Sequence, residues 1–267
     1  MAGTMTPPID HTVAVADGVA TVTLARPQAY NAVTAAMLRS LQFTLGALAR
    51  DPEVRAVVLT GAGKAFCAGQ ALDDPEVFAS DGALDVARAL HERYHPVLLA
   101  LLALEKPVVA AVNGVAAGAG FGLALACDLR VVAESASFTT AFVKIGLVPD
   151  SGVSYLLPRT IGYGKALELC LLSEKIDAGR ADALGLCTKV VPPNRVVPEA
   201  LALATALASA PRALGLTKRE LVRNGLGDVA AALAYEAEMQ AIAAQTADAA
   251  EGIAAFRAKR APVYHGA

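Results

Sequence analysis

An α/β fold with parallel strands is the architecture this sequence predicts, and three observations predict it. Apolar, β-branched runs at 54–60, 108–112 and 129–133 recur with room for a helix between them, a rhythm that calls for right-handed parallel crossovers. The first two runs each lead into a short stretch of small residues and glycine, where a strand should turn. Beyond about residue 195 no convincing strand remains, and the chain becomes Ala/Leu-rich and helical. The predicted division is a core over 1–195 and a C-terminal helical region over 196–267.

Along the chain, Val13-Ala14-Val15, Asp17-Gly18 and the run 19–24 read as a hairpin, because Asp-Gly between alternating apolar residues favours a two-residue turn. Residues 34–49 read as a helix, with Met37, Leu38, Leu41, Leu45 and Leu48 spaced along one apolar face. After strand 54–60 comes the first glycine-rich loop, then a helix over 83–104 with an expected interruption at Pro96. Strand 108–112 precedes the second loop, a buried helix beginning near Phe121, and strand 129–133. The helices 195–209, 212–224 and 228–260 are read as a cap or an oligomer surface. There is no internal repeat and no low-complexity linker.

The composition excludes several classes. With 55% hydrophobic and 18% charged residues over 267 positions, a sizeable core is expected, not disorder. A net charge of −2 offers no electrostatic footprint for nucleic acid or an anionic membrane. Cys67, Cys127, Cys170 and Cys187 form no C-x-x-C pair and read as reduced residues of a cytoplasmic protein. The stretch 1–10 lacks a basic flank and an apolar segment, so no signal peptide is expected. No apolar run reaches the ~18 residues of a membrane span.

The chemistry sits in the two loops, Phe66-Cys67-Ala68-Gly69-Gln70-Ala71-Leu72 and Asn113-Gly114-Val115-Ala116-Ala117-Gly118-Ala119-Gly120. Glycine lets main-chain N–H groups approach a ligand closely, and a helix N-terminus adds a positive dipole end. Two such loops facing one point would hold a developing oxyanion between two backbone donors. Read alone, both loops are equally well explained as tight turns. His91-Glu92-Arg93-Tyr94-His95 matches the H-E-x-x-H zinc-hydrolase helix, but Pro96 follows directly and the other histidines, His11 and His265, lie near the termini. A solvent-facing turn at the mouth of a pocket is the favoured reading, and no metal is expected. Gly61-Ala62-Gly63-Lys64 lacks P-loop spacing, and Gly118-x-Gly120-x-Gly122 lacks that of a dinucleotide fingerprint.

The chain resembles the enoyl-CoA hydratase/isomerase (crotonase) superfamily over nearly its whole length. The matching text is Arg26-Pro27…Asn31-Ala32, Gly61-x-Gly63-Lys64-Ala65-Phe66-Cys67-Ala68-Gly69, and Lys106-Pro107…Asn113-Gly114…Gly118-Ala119-Gly120…Cys127-Asp128. It continues through Phe138…Gly146-Leu147-Val148-Pro149-Asp150-Ser151-Gly152…Leu157-Pro158-Arg159 and Phe256…Lys259-Arg260. The resemblance implies a spiral of repeated ββα units, a homotrimer or hexamer, and an acyl-CoA thioester as substrate; the Ala/Leu-rich stretch 195–260 is the expected assembly surface, and no separate cofactor is expected. By position it implies an oxyanion hole from the backbone N–H groups of Gln70 and Ala119. Arg26, Ala32, Lys64, Ala68, Phe256 and Lys259 would bind the coenzyme A moiety, with Leu72, Phe142 and Leu147 in the acyl pocket.

The departures matter as much. Hydratases of this superfamily carry two glutamates at positions that here align with Gly122 and Phe142, so the carboxylates that hold and deprotonate water are missing. What remains is Asp150, in a pattern similar to the isomerase branch typified by epoxyphenylacetyl-CoA isomerase, where a single aspartate shuttles a proton. One base suffices when a proton leaves one carbon and returns to another on the same face. Asp150 read without the family is a helix N-cap, since Pro-Asp-Ser-Gly opens helices. Ala71 stands where related isomerases have Asp, and Asp73 and Asp74 read as solvated caps of the next helix. The expected activity is acyl-CoA isomerisation, with hydration, a non-catalytic crotonase-fold binder and a zinc hydrolase as alternatives.

Overall fold

The computed structural model describes residues 10–71, 74–77, 86–145, 147–225, 246–248, 251, 255, 258 and 260–266. β1 (His11–Ala16) and β2 (Val19–Leu24) form the expected hairpin. Its turn residues Asp17 and Gly18 both lie at positive φ, 50° and 75°, the conformation that matches strand twist. α1 (Ala35–Arg50) starts where Thr34 Oγ1 accepts the Met37 N–H at 3.1 Å, and it buries the predicted stripe from Met37 to Leu48.

β3 (Ala56–Gly61) and β4 (Ala65–Cys67) come next, followed by α2 (Val86–Ala89), a π-helical turn over Leu90–Tyr94, and α3 (His95–Ala103). Then come β5 (Val108–Val112), β6 (Val115–Ala117), α4 (Ala119–Ala126), β7 (Leu129–Ala133) and β8 (Ser137–Thr139). α5 (Val153–Ile161), α6 (Tyr163–Leu172), β9 (Ile176–Asp177), α7 (Ala178–Ala183) and β10 (Lys189–Val191) complete the core. α8 (Val196–Ala208) and α9 (Ala213–Asn224) follow. The predicted helix 228–260 falls mostly outside the described residues.

Two sheets grow side by side. The larger has the order β1-β2-β3-β5-β7-β10, and the smaller β4-β6-β8-β9. After the hairpin, the pairs β3/β4, β5/β6 and β7/β8 each give one strand to each sheet and are followed by a helical segment, which generates the spiral. β3 and β5 are wholly buried, as strands covered on both faces must be, and their unbroken apolar runs reflect it. α8 lies across this sheet, with Val196, Ala200, Ala204 and Ala208 in the same core as β2, β3, β5 and β7. α9 is tied to the sheet by Lys218, whose Nζ meets Asp128 Oδ2 at 2.9 Å and the Leu101 carbonyl at 3.0 Å. Asp128 Oδ2 also accepts the Val108 N–H at 2.7 Å, at the start of β5.

Pro96 does not interrupt the helix. The backbone widens before it, with the His95 N–H bonded to the Leu90 carbonyl five residues back, and Pro96 then sits in the first turn of α3, where its missing N–H is harmless. Among the described residues no single helix is long and apolar enough to cross a membrane.

Candidate active site

The two loops follow the short strands β4 and β6, not the longer runs before them. β4 and β6 pair in parallel, so their C-terminal ends lie side by side and bring Gln70 and Ala119 together. Gly69, at φ 97°, shows how close: a Cβ built there would lie 3.0 Å from the Ala117 carbonyl oxygen and 3.6 Å from the Ala119 nitrogen. Val33 stitches the first loop in place, donating its N–H to Gly69 O at 2.8 Å and accepting from Ala71 N at 2.9 Å. Those bonds use the peptides on either side of Gln70 and leave its own N–H without an acceptor among the described residues. Ala119 is the first residue of α4, so its N–H has no intrahelical partner. Both implied donors are therefore uncommitted and share one corner, with the α4 dipole behind one of them.

Asp150 precedes α5. Its side chain makes no capping bond to that helix; Gly152 occupies the cap position without a side-chain hydrogen bond, so the N-cap explanation of Asp150 does not hold. Instead Ser151 Oγ donates to Asp150 Oδ1 at 2.7 Å, and Ser151 is itself buried at a φ of 48°. Burial pushes the Asp150 carboxyl above the ordinary carboxylate range, opposed by the Ser151 hydrogen bond and by His95.

The Asp150 turn is seated on α4 through Gly122, where a Cβ would collide with the Ser151 carbonyl oxygen. Gly122 is three residues from Ala119, roughly 4.5 Å along the helix axis. The carboxylate turn and one oxyanion donor are thus held by neighbouring turns of the same helix.

In the implied acyl pocket, Phe142 is buried with its ring about 3.9 Å from a Cβ built on Gly118. Leu147 is half-buried, its N–H bonded to the Phe142 carbonyl at 3.0 Å. Leu72 lies outside the described residues, as do Phe256 and Lys259.

The other implied coenzyme A contacts form one rim. Ala68 is exposed and donates its N–H to Tyr30 O at 3.0 Å, and Lys64 is exposed with no ion pair among the described residues. Arg26 lies on the same rim, its guanidinium donating to Ala32 O at 2.6 Å and lying 3.7 Å from Asp10.

Several contributors were not legible as such. Asn31, fully buried, donates to Ala62 O and Ala65 O at 2.9 and 2.8 Å and accepts the Arg26 N–H at 3.0 Å. Asn113 donates to Gly61 O and Gly63 O at 2.8 and 3.0 Å. The two side chains clamp the segment leading into the first loop. Asp74 is buried, not solvated: it accepts the Ala35 N–H at 2.6 Å and the Glu76 N–H at 3.0 Å. Tyr94, passed over between the two histidines of the H-E-x-x-H match, donates its hydroxyl to Gln70 Oε1.

His91 and His95 meet edge to face with ring centroids 5.2 Å apart. No group of three His, Cys, Asp or Glu able to hold a metal occurs among the described residues. Cys67 is buried beneath the first loop and its thiol is pushed up to about 12 by burial, which leaves it unreactive. A cavity of about 520 Å³ lined by Arg50, Arg55, Lys106 and Arg212 opens at the opposite end of β3 and β5.

Known proteins share this arrangement. The family model for enoyl-CoA hydratase/isomerase matches residues 14–267. A Rhodobacter capsulatus protein named "Probable enoyl-CoA hydratase" is 43% identical over 253 residues, covering 94% of this chain and 96% of that protein. The 1,2-epoxyphenylacetyl-CoA isomerase of Escherichia coli is 40% identical over 250 residues, covering 93% and 95%. Among solved structures, an enoyl-CoA hydratase from Bacillus anthracis superposes with a TM-score of 0.90 at 34% identity, covering 97% of this chain and 100% of that one. The chain belongs to the enoyl-CoA hydratase/isomerase family and has the crotonase fold. That family acts on acyl-CoA thioesters, and its named relatives include both hydratases and an isomerase.

Proposed function

We propose that this protein is an acyl-CoA isomerase that moves a double bond through a thioester enolate. The observation that carries the reading is the seating of the Asp150 turn on Gly122, one helical turn from Ala119. It brings the backbone of the Asp150 turn against the helix that begins at Ala119, which supports a reading in which this partly buried carboxylate works with the two uncommitted backbone donors. The thioester oxygen is bound by the N–H groups of Gln70 and Ala119. Asp150 takes a proton from the carbon next to the thioester of a 3-enoyl-CoA; the C–H electrons pass into the conjugated dienolate, and negative charge grows on the oxygen. The same carboxyl returns the proton to the distal carbon, giving the 2-enoyl-CoA and regenerating the carboxylate. Burial raises the basicity of Asp150, which suits a base working near neutrality. Donors fixed before reaction do not reorganise as charge develops, and one such donor is worth ~3–4 kcal/mol.

The coenzyme A moiety is assigned to the rim of Arg26, Ala32, Lys64 and Ala68, completed by Phe256 and Lys259. No step is assigned to a metal or a separate cofactor. The assembly is assigned as a homotrimer or hexamer in the cytoplasm.

Hydration is the competing reading, favoured by the name of the 43% identical relative. Purified protein offered 3-enoyl-, 2-enoyl- and aromatic acyl-CoA thioesters separates the two. The isomerase reading expects 3-enoyl-CoA to become conjugated while crotonyl-CoA stays unhydrated. Rapid hydration of crotonyl-CoA without isomerisation overturns it.

A further inference from the structure

Tyr94 has no part in the proton transfer above, yet it grips one of the two oxyanion donors. The residue is 6% exposed, and its hydroxyl donates to Gln70 Oε1, while Gln70 Nε2 donates to Ala71 O at 2.8 Å. An amide side chain offers a carbonyl end and an amino end, and here both are held. The need for such a hold lies in the residue before it. Gly69 sits at φ 97°, in backbone space open to glycine alone, so the Gly69–Gln70 peptide has no Cβ on its N-terminal side to restrain it. The bond from Val33 N to Gly69 O fixes one edge of that peptide plane, and planarity then directs the Gln70 N–H to the opposite edge. The Gln70 side chain is the second restraint on this plane, and Tyr94 is what anchors it.

We propose that Tyr94 is a positioning residue, whose phenol acts through the Gln70 side chain to aim the Gln70 N–H at the thioester oxygen. This rests on the enolate reading of the site.

Three further features agree. Burial pushes the Tyr94 phenol upward, so it remains a neutral donor across the working pH range. Tyr94 ends the π-helical turn Leu90–Tyr94, and such turns are uncommon and cluster at functional sites. The next residue, His95, lies close enough to Asp150 to oppose the rise of its pKa, while the Asp150 charge contributes to the rise at Tyr94. One turn of backbone therefore abuts both halves of the site, and Arg93 anchors it from the same segment by donating to Glu76 O at 2.7 Å.

The test is Tyr94→Phe, which keeps the ring and removes the donor, read by two signals. The first is the carbonyl stretching frequency of a bound conjugated acyl-CoA thioester, measured by Raman difference spectroscopy; the second is kcat and KM for 3-enoyl-CoA. The expected result is a smaller downshift of the carbonyl band than in wild type, with kcat lower by about tenfold or more and KM within about twofold. Gln70→Ala should show the same deficit, and the double variant should be no worse than either alone, since both remove one linkage. Gln70→Ala also carries the test if Tyr94→Phe does not fold. A wild-type carbonyl shift and kcat in Tyr94→Phe overturn the proposal, as does a double variant that multiplies two independent losses. A wild-type protein that neither shifts the carbonyl nor turns over acyl-CoA overturns the enolate reading and the role of Tyr94 with it. A normal wild-type shift that Tyr94→Phe leaves untouched overturns the role of Tyr94 alone.

Discussion

The carbonyl of Ser151 fills the space that any side chain at Gly122 would need: a Cβ built on Gly122 collides with the Ser151 oxygen and lies 3.1 Å from the Ser151 Cβ. Gly122 is the position where the family resemblance places a hydratase glutamate, so the absence of that carboxylate is not a simple deletion. The backbone of the turn carrying Asp150 packs against that position. A side chain at Gly122 and the Ser151 backbone therefore cannot occupy this volume together.

Gly122→Ala should therefore force Ser151 outward and take Asp150 with it. Overpacking of this kind costs ~1–3 kcal/mol, visible as a lower midpoint in denaturant titration. The isomerase rate should fall further than the loss of folded protein accounts for. Gly122→Glu should not create a hydratase. An alanine variant with wild-type stability and rate contradicts the contact.

The pH dependence follows from burial of Asp150. Its folded-state pKa lies above the unfolded value, so the acid limb of kcat/KM should be centred above the ~3.9 of a free aspartate, activity being lost as pH falls through it. Stability runs the other way. Between the unfolded and folded pKa values the native state binds more protons, so stability drops as pH rises through that window and the deficit persists above it. Asp150→Asn should consequently melt at the same temperature as wild type or higher at neutral pH. A marked loss of stability would restore a capping role for the carboxylate.

Much of the fold is legible because its signals are local. The hairpin at Asp17-Gly18, the stripe on α1 and the buried runs of β3 and β5 each declare themselves within a few residues. The three-residue strands β4 and β6 do not, because alternation needs more length than they have, so the loops read as extensions of β3 and β5 when they follow a second sheet. Site chemistry divides the same way. Glycine loops and Asp150 stand out as motifs, whereas Tyr94 matters through Gln70, 24 residues away, and the Ser151 carbonyl through its contact with Gly122.

Lys218 and Asp128 tie α9 to the start of β5 across a 2.9 Å ion pair in which Lys218 is almost fully buried. Removing one partner leaves a charge without compensation, so Lys218→Met should cost about 3–5 kcal/mol in urea-induced unfolding. A change under about 1 kcal/mol would mean that solvent already screens the pair.

Leu167, Leu171 and Leu172 on α6 and Leu221 on α9 are exposed, more apolar surface than a lone chain gains from. Light scattering at micromolar concentration should return three or six times the 27.2 kDa chain mass. A monomeric mass contradicts the assigned assembly.

The most direct test of the account is the isomerisation rate of Asp150→Asn, followed as absorbance of the conjugated thioester forming from a 3-enoyl-CoA. Asparagine keeps the size of the side chain and its bond from Ser151 while removing the base. The predicted result is a rate ~10²–10⁴-fold lower, with acyl-CoA affinity by calorimetry unchanged, because Gln70 and Ala119 still hold the oxygen. A variant that isomerises at the wild-type rate contradicts the account.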